Sequence, residues 1–372
     1  MWPFRSYSTE STSSEDNKTI NIDIKSGENT PHAIHTTTDT TTTDTLESNT
    51  QPTISAQDID HCVLLDLLRI TLLIYNFGET IAVKEATNVA DAESAPTNTI
   101  EEFVNRLQQQ EQEQEGGAAG GDSSPKLDAT RRRALGEIAK NAPKARVHRF
   151  IDDAHTDVQA AVTVAEGKKR ICVVFRGSES RSDWYYDLML FKRRINCPGD
   201  STGGGGGGGG SVSVHSGFHT QLTEGGTYDK IAESVRDLLT KYPDFAVYVT
   251  GHSLGGALAT LFGFMFAHEV TTPVVVASFA SPRVGNYRWK EAFEAKPNLY
   301  HYRVTNKRDV VTAFPVYRYY HVGDNIQLAD TERKCFARDA MRGWLDESIF
   351  TCWSPAEHDC ELYYTRLTNN TW

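Results

Sequence analysis

Gly251-His252-Ser253-Leu254-Gly255 sets a serine between two glycines where one apolar run, "VYVT", ends and another, "GALATLFGF", begins. A serine hydroxyl becomes a nucleophile when a base takes its proton and hydrogen-bond donors wait for the oxyanion formed on the attacked carbonyl. The G-x-S-x-G pattern suits that task when a strand precedes it and a helix follows. The turn is then so tight that its flanking residues must be small, and it lifts the hydroxyl above the sheet. Here the first run reads as a strand and the second as a helix, whose unpaired first-turn amides and positive dipole end favour negative charge beside the serine. Ser253 is therefore the candidate nucleophile, and the Leu254 amide a candidate oxyanion donor. His252 is set aside as the base, because adjacent residues on a tight elbow point apart.

In a strand–turn–helix site of this kind the partners follow the serine as acid, then histidine. Asp309, in "YRVTNKRDVVTAFP", falls just past an expected strand, where a carboxylate can reach the sheet's edge. Glu291 and Glu294 belong to a solvated helix and Asp324 to a turn. Two histidines compete for the base. His321 in "RYYHVGDNIQL" lies in a β-like run, whereas His358 in "SPAEHDCELYY" sits on a polar loop opening the last apolar segment, and His358 is preferred. A further oxyanion donor is offered by "ICVVFRGSES", where Gly177 permits an unusual backbone and Ser178 brings an amide and a hydroxyl.

The elements that must position these groups follow from the apolar spacing. "ARVHRFID", "QAAVTVAE", "RICVVFRG", "DFAVYVTG", "PVVVASFASP" and "LYHYRVTN" read as strands. "YDKIAESVRDLLTKYP", with Ile231, Val235, Leu238 and Leu239 at helical spacing, reads as a helix that stops before Pro243. Strands alternating with helices imply a mainly parallel, doubly wound α/β sheet with its site at the strands' carboxyl ends. "CVLLDLLRITLLIYNF", Cys62 to Phe77, reads as a buried helix; with Asp66 and Arg69 inside it, it is too short to span a bilayer easily.

Residues 1–57 are rich in Thr, Ser, Asn and acidic residues and lack apolar periodicity, so disorder is expected there. Residues 58–127 read as N-terminal helices followed by an acidic, Gly-rich linker, and 128–372 as the catalytic domain. An eight-glycine run, 203–210, interrupts that domain. With 372 residues the chain can hold a full-sized core, and its net charge of −11 excludes nucleic acid as the main partner. None of the six cysteines has Cys-x-x-Cys spacing. Cys172 reads as core, and Cys352 and Cys360 are close enough to bridge in an oxidising compartment, with reduced spectator thiols the equal alternative. The amino terminus lacks the apolar core of a secretory signal, which makes a cytoplasmic location the expectation, with a peripheral association at a membrane or lipid droplet beside it.

Taken together, "VVFRGSES", "DWYYDL", "VHSGF", "VTGHSLGGALA", "FASPRVGN", "RVTNKRDVVTAFP", "YYHVGDN" and "EHDCELYY" resemble, in order, the class 3 lipase family, over roughly residues 145–364. The resemblance implies an α/β-hydrolase fold, with Ser253 as nucleophile, Asp309 as orienting acid, His358 as general base, and Ser178 and Leu254 as oxyanion donors. It implies that His321 is near the site without being the base. In fungal members the segment after the oxyanion serine is a lid; here that segment is 179–191, with Trp184, Leu188 and Phe191 on one helical face. The implied activity is hydrolysis of triacylglycerol or diacylglycerol esters at a lipid–water interface without metal or cofactor. A phospholipase A1 or galactolipase is the alternative within the class, and a catalytically silent lipid-binding protein the alternative outside it.

Overall fold

The computed structural model describes residues 59–80, 99–105, 109, 129–141, 144–177, 192–194, 211–330, 333–336 and 354–370. The segment 1–57, most of the linker, the eight-glycine run, Cys352, Ser178 and the lid residues Trp184, Leu188 and Phe191 lie outside the described residues.

The strands are β1 (Ala145–Asp153), β2 (Val158–Ala165), β3 (Arg170–Phe175), β4 (Lys192–Arg194), β5 (Ser213–His215), β6 (Ala246–His252), β7 (Val274–Phe279), β8 (Leu299–Asn306), β9 (Asp324–Leu328) and β10 (Arg333–Phe336). Eight of them form one sheet in the order β1-β2-β3-β6-β7-β8-β9-β10, while β4 and β5 make a separate pair. β3, β6, β7, β8 and β9 run parallel, and β1, β2 and β10 add antiparallel edges. Every residue of β3 and of β7 is buried, as parallel strands covered on both faces require.

The helices are α1 (His61–Thr80), α2 (Ala129–Asn141), α3 (Ser216–Thr223), α4 (Thr227–Lys241), α5 (Leu254–Ala267), α6 (Tyr287–Glu294) and α7 (Cys360–Asn369). They divide between the sheet's faces by the alternation of its side chains. Ile171, Val173, Phe175, Val247, Val249, Val274 and Val276 pack with α3, α4, α5 and α6. Cys172, Val174, Val275, Ala277, Tyr302 and Val304 face the other way, against α1, α2 and α7. Burial raises the Cys172 thiol to about 12, so it remains a protonated core residue. This is the layered arrangement of an α/β-hydrolase.

Helix α1 is apolar nearly all round, and Leu64, Leu67, Leu68, Leu72, Leu73 and Ile74 share one buried cluster with the sheet and α7. Two of its polar side chains reach other elements: His61 Nε2 donates to the Leu367 carbonyl at 2.7 Å, and Arg69 pairs with Glu137 of α2. Thr71 lies 3.2 Å, hydroxyl to hydroxyl, from Thr250 of β6. Among the described residues no helix is long and apolar enough to cross a membrane.

Candidate active site

Strand β6 ends at His252 and α5 begins at Leu254, leaving Ser253 alone in the turn with φ 59° and ψ −125°. Few residues with a side chain adopt that conformation. It is held by the Ser253 amide, which donates to the Phe279 carbonyl at the end of β7 (2.9 Å), and by the Ser253 carbonyl, which accepts from Gly256 (3.0 Å). The two flanking glycines leave no room for anything larger. A Cβ on Gly251 would overlap the Gly255 carbonyl, and one on Gly255 would overlap the Phe175 carbonyl of β3. Gly177, just past β3, is pressed against the same turn: a Cβ there would lie 2.7 Å from the His252 carbonyl oxygen. Leu254, as the first residue of α5, presents a first-turn amide that no carbonyl of its own helix can reach.

Above Ser253 the three side chains expected to cooperate meet. His358 Nε2 lies 2.8 Å from Ser253 Oγ, and His358 Nδ1 lies 2.9 Å and 3.0 Å from the two oxygens of Asp309. A carboxylate can only accept, so Nδ1 carries the proton and Nε2 is bare and accepts from the serine hydroxyl. Asp309 is 1 % exposed, a burial that an ionised carboxylate tolerates only with several donors. The Val311 amide donates to its Oδ1 at 2.9 Å and the Tyr363 hydroxyl to its Oδ2 at 2.7 Å. Burial, reinforced by the adjacent Asp309 charge, pushes the Tyr363 phenol well above its usual range, so it remains a donor.

The end of β8 holds both partners. Asn306 donates its amide to Tyr363 Oη (2.8 Å), its carbonyl accepts from the Asp309 amide (3.1 Å), and its Nδ2 donates to the Glu357 carbonyl (2.8 Å). His358 closes a short 3-10 turn, Pro355–His358, and Glu357 within it ties that turn down. Its carboxylate pairs with Arg366 of α7 and, at 3.0 Å, with Arg308 beside Asp309. Burial alone would raise the Glu357 pKa, but the hydrogen bonds and charges of Arg366 and Arg308 outweigh it and hold it below the usual value of 4.5.

Both side chains of the Glu357–Arg366 pair are 7 % exposed, so removing one charge leaves the other nearly dry. Glu357→Gln should therefore destabilise the fold by about 3 kcal/mol in urea unfolding, somewhat less where the exposed Asp330 compensates Arg366. Because the folded pKa is depressed, the pair's contribution is complete above the unfolded value and is lost as pH falls through the folded one. The acid-side slope of stability against pH should accordingly be shallower in the Gln variant.

His321 takes no part in this set. It lies in the loop before β9, not within a strand, and β9 begins at Asp324, which is a strand residue where a turn residue was expected. His321 Nε2 donates to the Thr312 carbonyl (2.8 Å), and Thr312 Oγ1 in turn donates to the Asp309 carbonyl (2.8 Å). Burial, with Arg303 and Arg283 nearby, lowers its pKa far below the usual histidine range. It buttresses the Asp309 turn as a neutral ring. Sequence reasoning missed Asn306, Glu357 and Tyr363. The signal available in retrospect is that a buried carboxylate needs donors, and "ELYY" begins three residues after His358.

Residues 172–319 match the family described as Lipase (class 3), a span that includes Ser253 and Asp309 and ends before His358. Phospholipase A1-II 3 of Oryza sativa subsp. indica is 31% identical over 199 residues, 48% of this chain and 46% of that protein. A lipase of Rhizomucor miehei is 28% identical over 180 residues, 47% of this chain and 46% of that protein. The chain thus spans about half the length of the curated relatives it matches. The crystal structure of a lipase from Rhizopus microsporus var. chinensis superposes with a TM-score of 0.50 at 25% identity, covering 60% of this chain and 76% of that one.

Proposed function

Residues 172–319 belong to the class 3 lipase family, and from that premise we propose that the chain is a serine hydrolase that cleaves the acyl esters of lipids through an acyl-enzyme. The observation that carries the reading is the unbroken set of contacts Asp309 to His358 Nδ1 and His358 Nε2 to Ser253 Oγ, at 2.8–3.0 Å, on a strained elbow. His358 Nε2 takes the hydroxyl proton as Ser253 Oγ attacks the ester carbonyl carbon. The oxyanion is met by the Leu254 amide and by Ser178, two residues beyond Arg176 in the chain. His358 then delivers its proton to the departing alcohol, and the same nitrogen activates the water that releases the acid. Asp309 keeps the proton on Nδ1 and stabilises the imidazolium between these transfers. No step calls for a metal or cofactor.

An acylglycerol is the first substrate assigned, in line with the triacylglyceride lipase of Rhizomucor miehei. A phospholipid cleaved at its acyl ester is the second, favoured by the plant phospholipases A1 among the relatives. The segment 179–191, with Trp184, Leu188 and Phe191, is proposed as a lid that meets lipid.

The test is a fluorophosphonate reaction followed by peptide mapping, run beside a panel of dispersed triacylglycerol, diacylglycerol, phosphatidylcholine and galactolipid. Label on Ser253 with fatty acid released from one of these lipids is the expected result. Absence of label from the folded protein would overturn the reading in favour of a silent lipid-binding chain. Faster hydrolysis above the solubility limit of the substrate is the outcome expected of a lid, and equal rates on monomeric and dispersed ester would remove it.

A further inference from the structure

Two side chains touch the site without taking part in the chemistry above. His252 Nε2 donates to the main-chain carbonyl oxygen of His358 at 2.9 Å. A carbonyl only accepts, so the ring's proton is on Nε2 and Nδ1 is bare. The Tyr75 hydroxyl, 3.2 Å away, donates to that bare nitrogen. His252 is 5 % exposed, and its ring packs 4.8 Å, centroid to centroid, from His358 and edge-on to Tyr363 at 5.8 Å. Tyr75 Oη also lies 2.5 Å from where a Cβ on Gly177 would be, so the same hydroxyl borders the end of β3 beside the elbow.

We infer that Tyr75 and His252 are positioning residues that form a hydrogen-bonded strut from α1 to the backbone of the catalytic histidine. Helix α1, which precedes the segment matching the family, is then a working part of the active site as well as a core helix. The inference rests on the hydrolase reading of Ser253, Asp309 and His358.

The physical need for such a strut lies in how His358 is carried. Its ring is fixed at both nitrogens, but its backbone belongs to a four-residue turn. That turn is tied to the sheet's end through the Glu357 carbonyl by Asn306 and through the His358 carbonyl by His252. Loss of the second tie lets the imidazole drift relative to Oγ, and a displacement near 1 Å can cost about a hundredfold in rate. The identity of the partner atom separates this role from plain packing. His252→Phe keeps the ring's bulk and removes the donor, His252→Gln returns an N–H near the Nε2 position, and Tyr75→Phe removes one hydroxyl.

The experiment uses the full chain and a soluble short-chain ester. It reads kcat, KM, fluorophosphonate labelling rate and the low-field proton resonance of the His358–Asp309 hydrogen bond. His252→Phe should lose roughly tenfold to a hundredfold in kcat and labelling rate with KM about unchanged, and its resonance should weaken. His252→Gln should recover most of that loss. Tyr75→Phe should lose less, and the double variant Tyr75→Phe/His252→Phe should be no worse than His252→Phe alone, as expected of two links in one chain. Wild-type kcat and resonance in His252→Phe would overturn the strut, as would equal loss in the Phe and Gln variants or multiplicative loss in the double variant. If His252→Phe does not fold, His252→Gln and Tyr75→Phe decide the matter on the same readings: for the strut if Gln keeps most of the activity while Phe at Tyr75 loses a part with KM unchanged, and against it otherwise. A wild-type chain that takes no label would overturn the hydrolase reading itself, an outcome distinct from a labelled wild type whose variants behave as it does.

Discussion

Asp309→Asn should lower kcat by about ten-thousandfold while leaving the fold intact. The size follows from counting donors around the carboxylate. Oδ1 accepts from the Val311 amide, Oδ2 accepts from the Tyr363 hydroxyl, and both face the proton on His358 Nδ1. An asparagine offers one oxygen and one NH2 in the same space. With its oxygen toward the Val311 amide, the NH2 points at Tyr363 and His358, so hydrogens confront hydrogens. Tyr363 already accepts from the Asn306 amide and can turn its own proton aside. His358 has a single remedy: to present a bare Nδ1 and move its proton to Nε2. The nitrogen facing Ser253 then holds a proton and cannot take another, so the base is lost although no atom has moved far. The checks are kcat on a soluble ester and a thermal melt; a folded variant that keeps a tenth of the activity would contradict this account of Asp309.

What the sequence made legible, and what it did not, divides along a physical line. The elbow could be read because its constraint is local: glycines at 251 and 255 face carbonyls too near for a Cβ, and the apolar runs on either side identify the strand and the helix. β3 and β7 could be read because strands covered on both faces are nearly continuous apolar runs, here broken only by Arg170 and Ser278. Strand direction is not local. β1 and β2 have the same composition whether they run with or against their neighbours, so their antiparallel pairing came from the structure alone. The β-like run around His321 misled because "YYHV" has strand composition. Gly323, at φ +73° and so placed that a Cβ would overlap the His301 carbonyl, breaks the run and delays β9 to Asp324.

The side chains that position the candidate site were illegible for a related reason. Tyr363 reaches Asp309 across 54 residues of chain and Tyr75 reaches His252 across 177, and nothing at either end of the sequence encodes that meeting. The need is nevertheless general: a carboxylate with 1 % exposure must find donors, and a histidine on a short turn must be tethered. The requirement can be anticipated from the chemistry, whereas the identity of the residues that meet it depends on which helices pack against the sheet.

Ser253→Ala and Ser253→Gly should both abolish hydrolysis and labelling, with kcat down by about a millionfold, yet they should differ in stability in an unusual direction. Glycine ordinarily destabilises relative to alanine by about 0.4–1 kcal/mol, through the greater freedom of its unfolded chain. At φ 59° and ψ −125° the balance changes, because a residue with a Cβ held in so sparse a region stores about 1–3 kcal/mol. Both variants lose the same Oγ to His358 hydrogen bond, so that loss cancels in the comparison. The difference that remains is strain against entropy, and strain is the larger by about 1 kcal/mol. Urea unfolding of the two inactive proteins measures it directly. A glycine variant more stable than the alanine variant means that the fold holds Ser253 at a cost in stability, whereas the reverse order would mean the turn is relaxed and the serine sits there without strain.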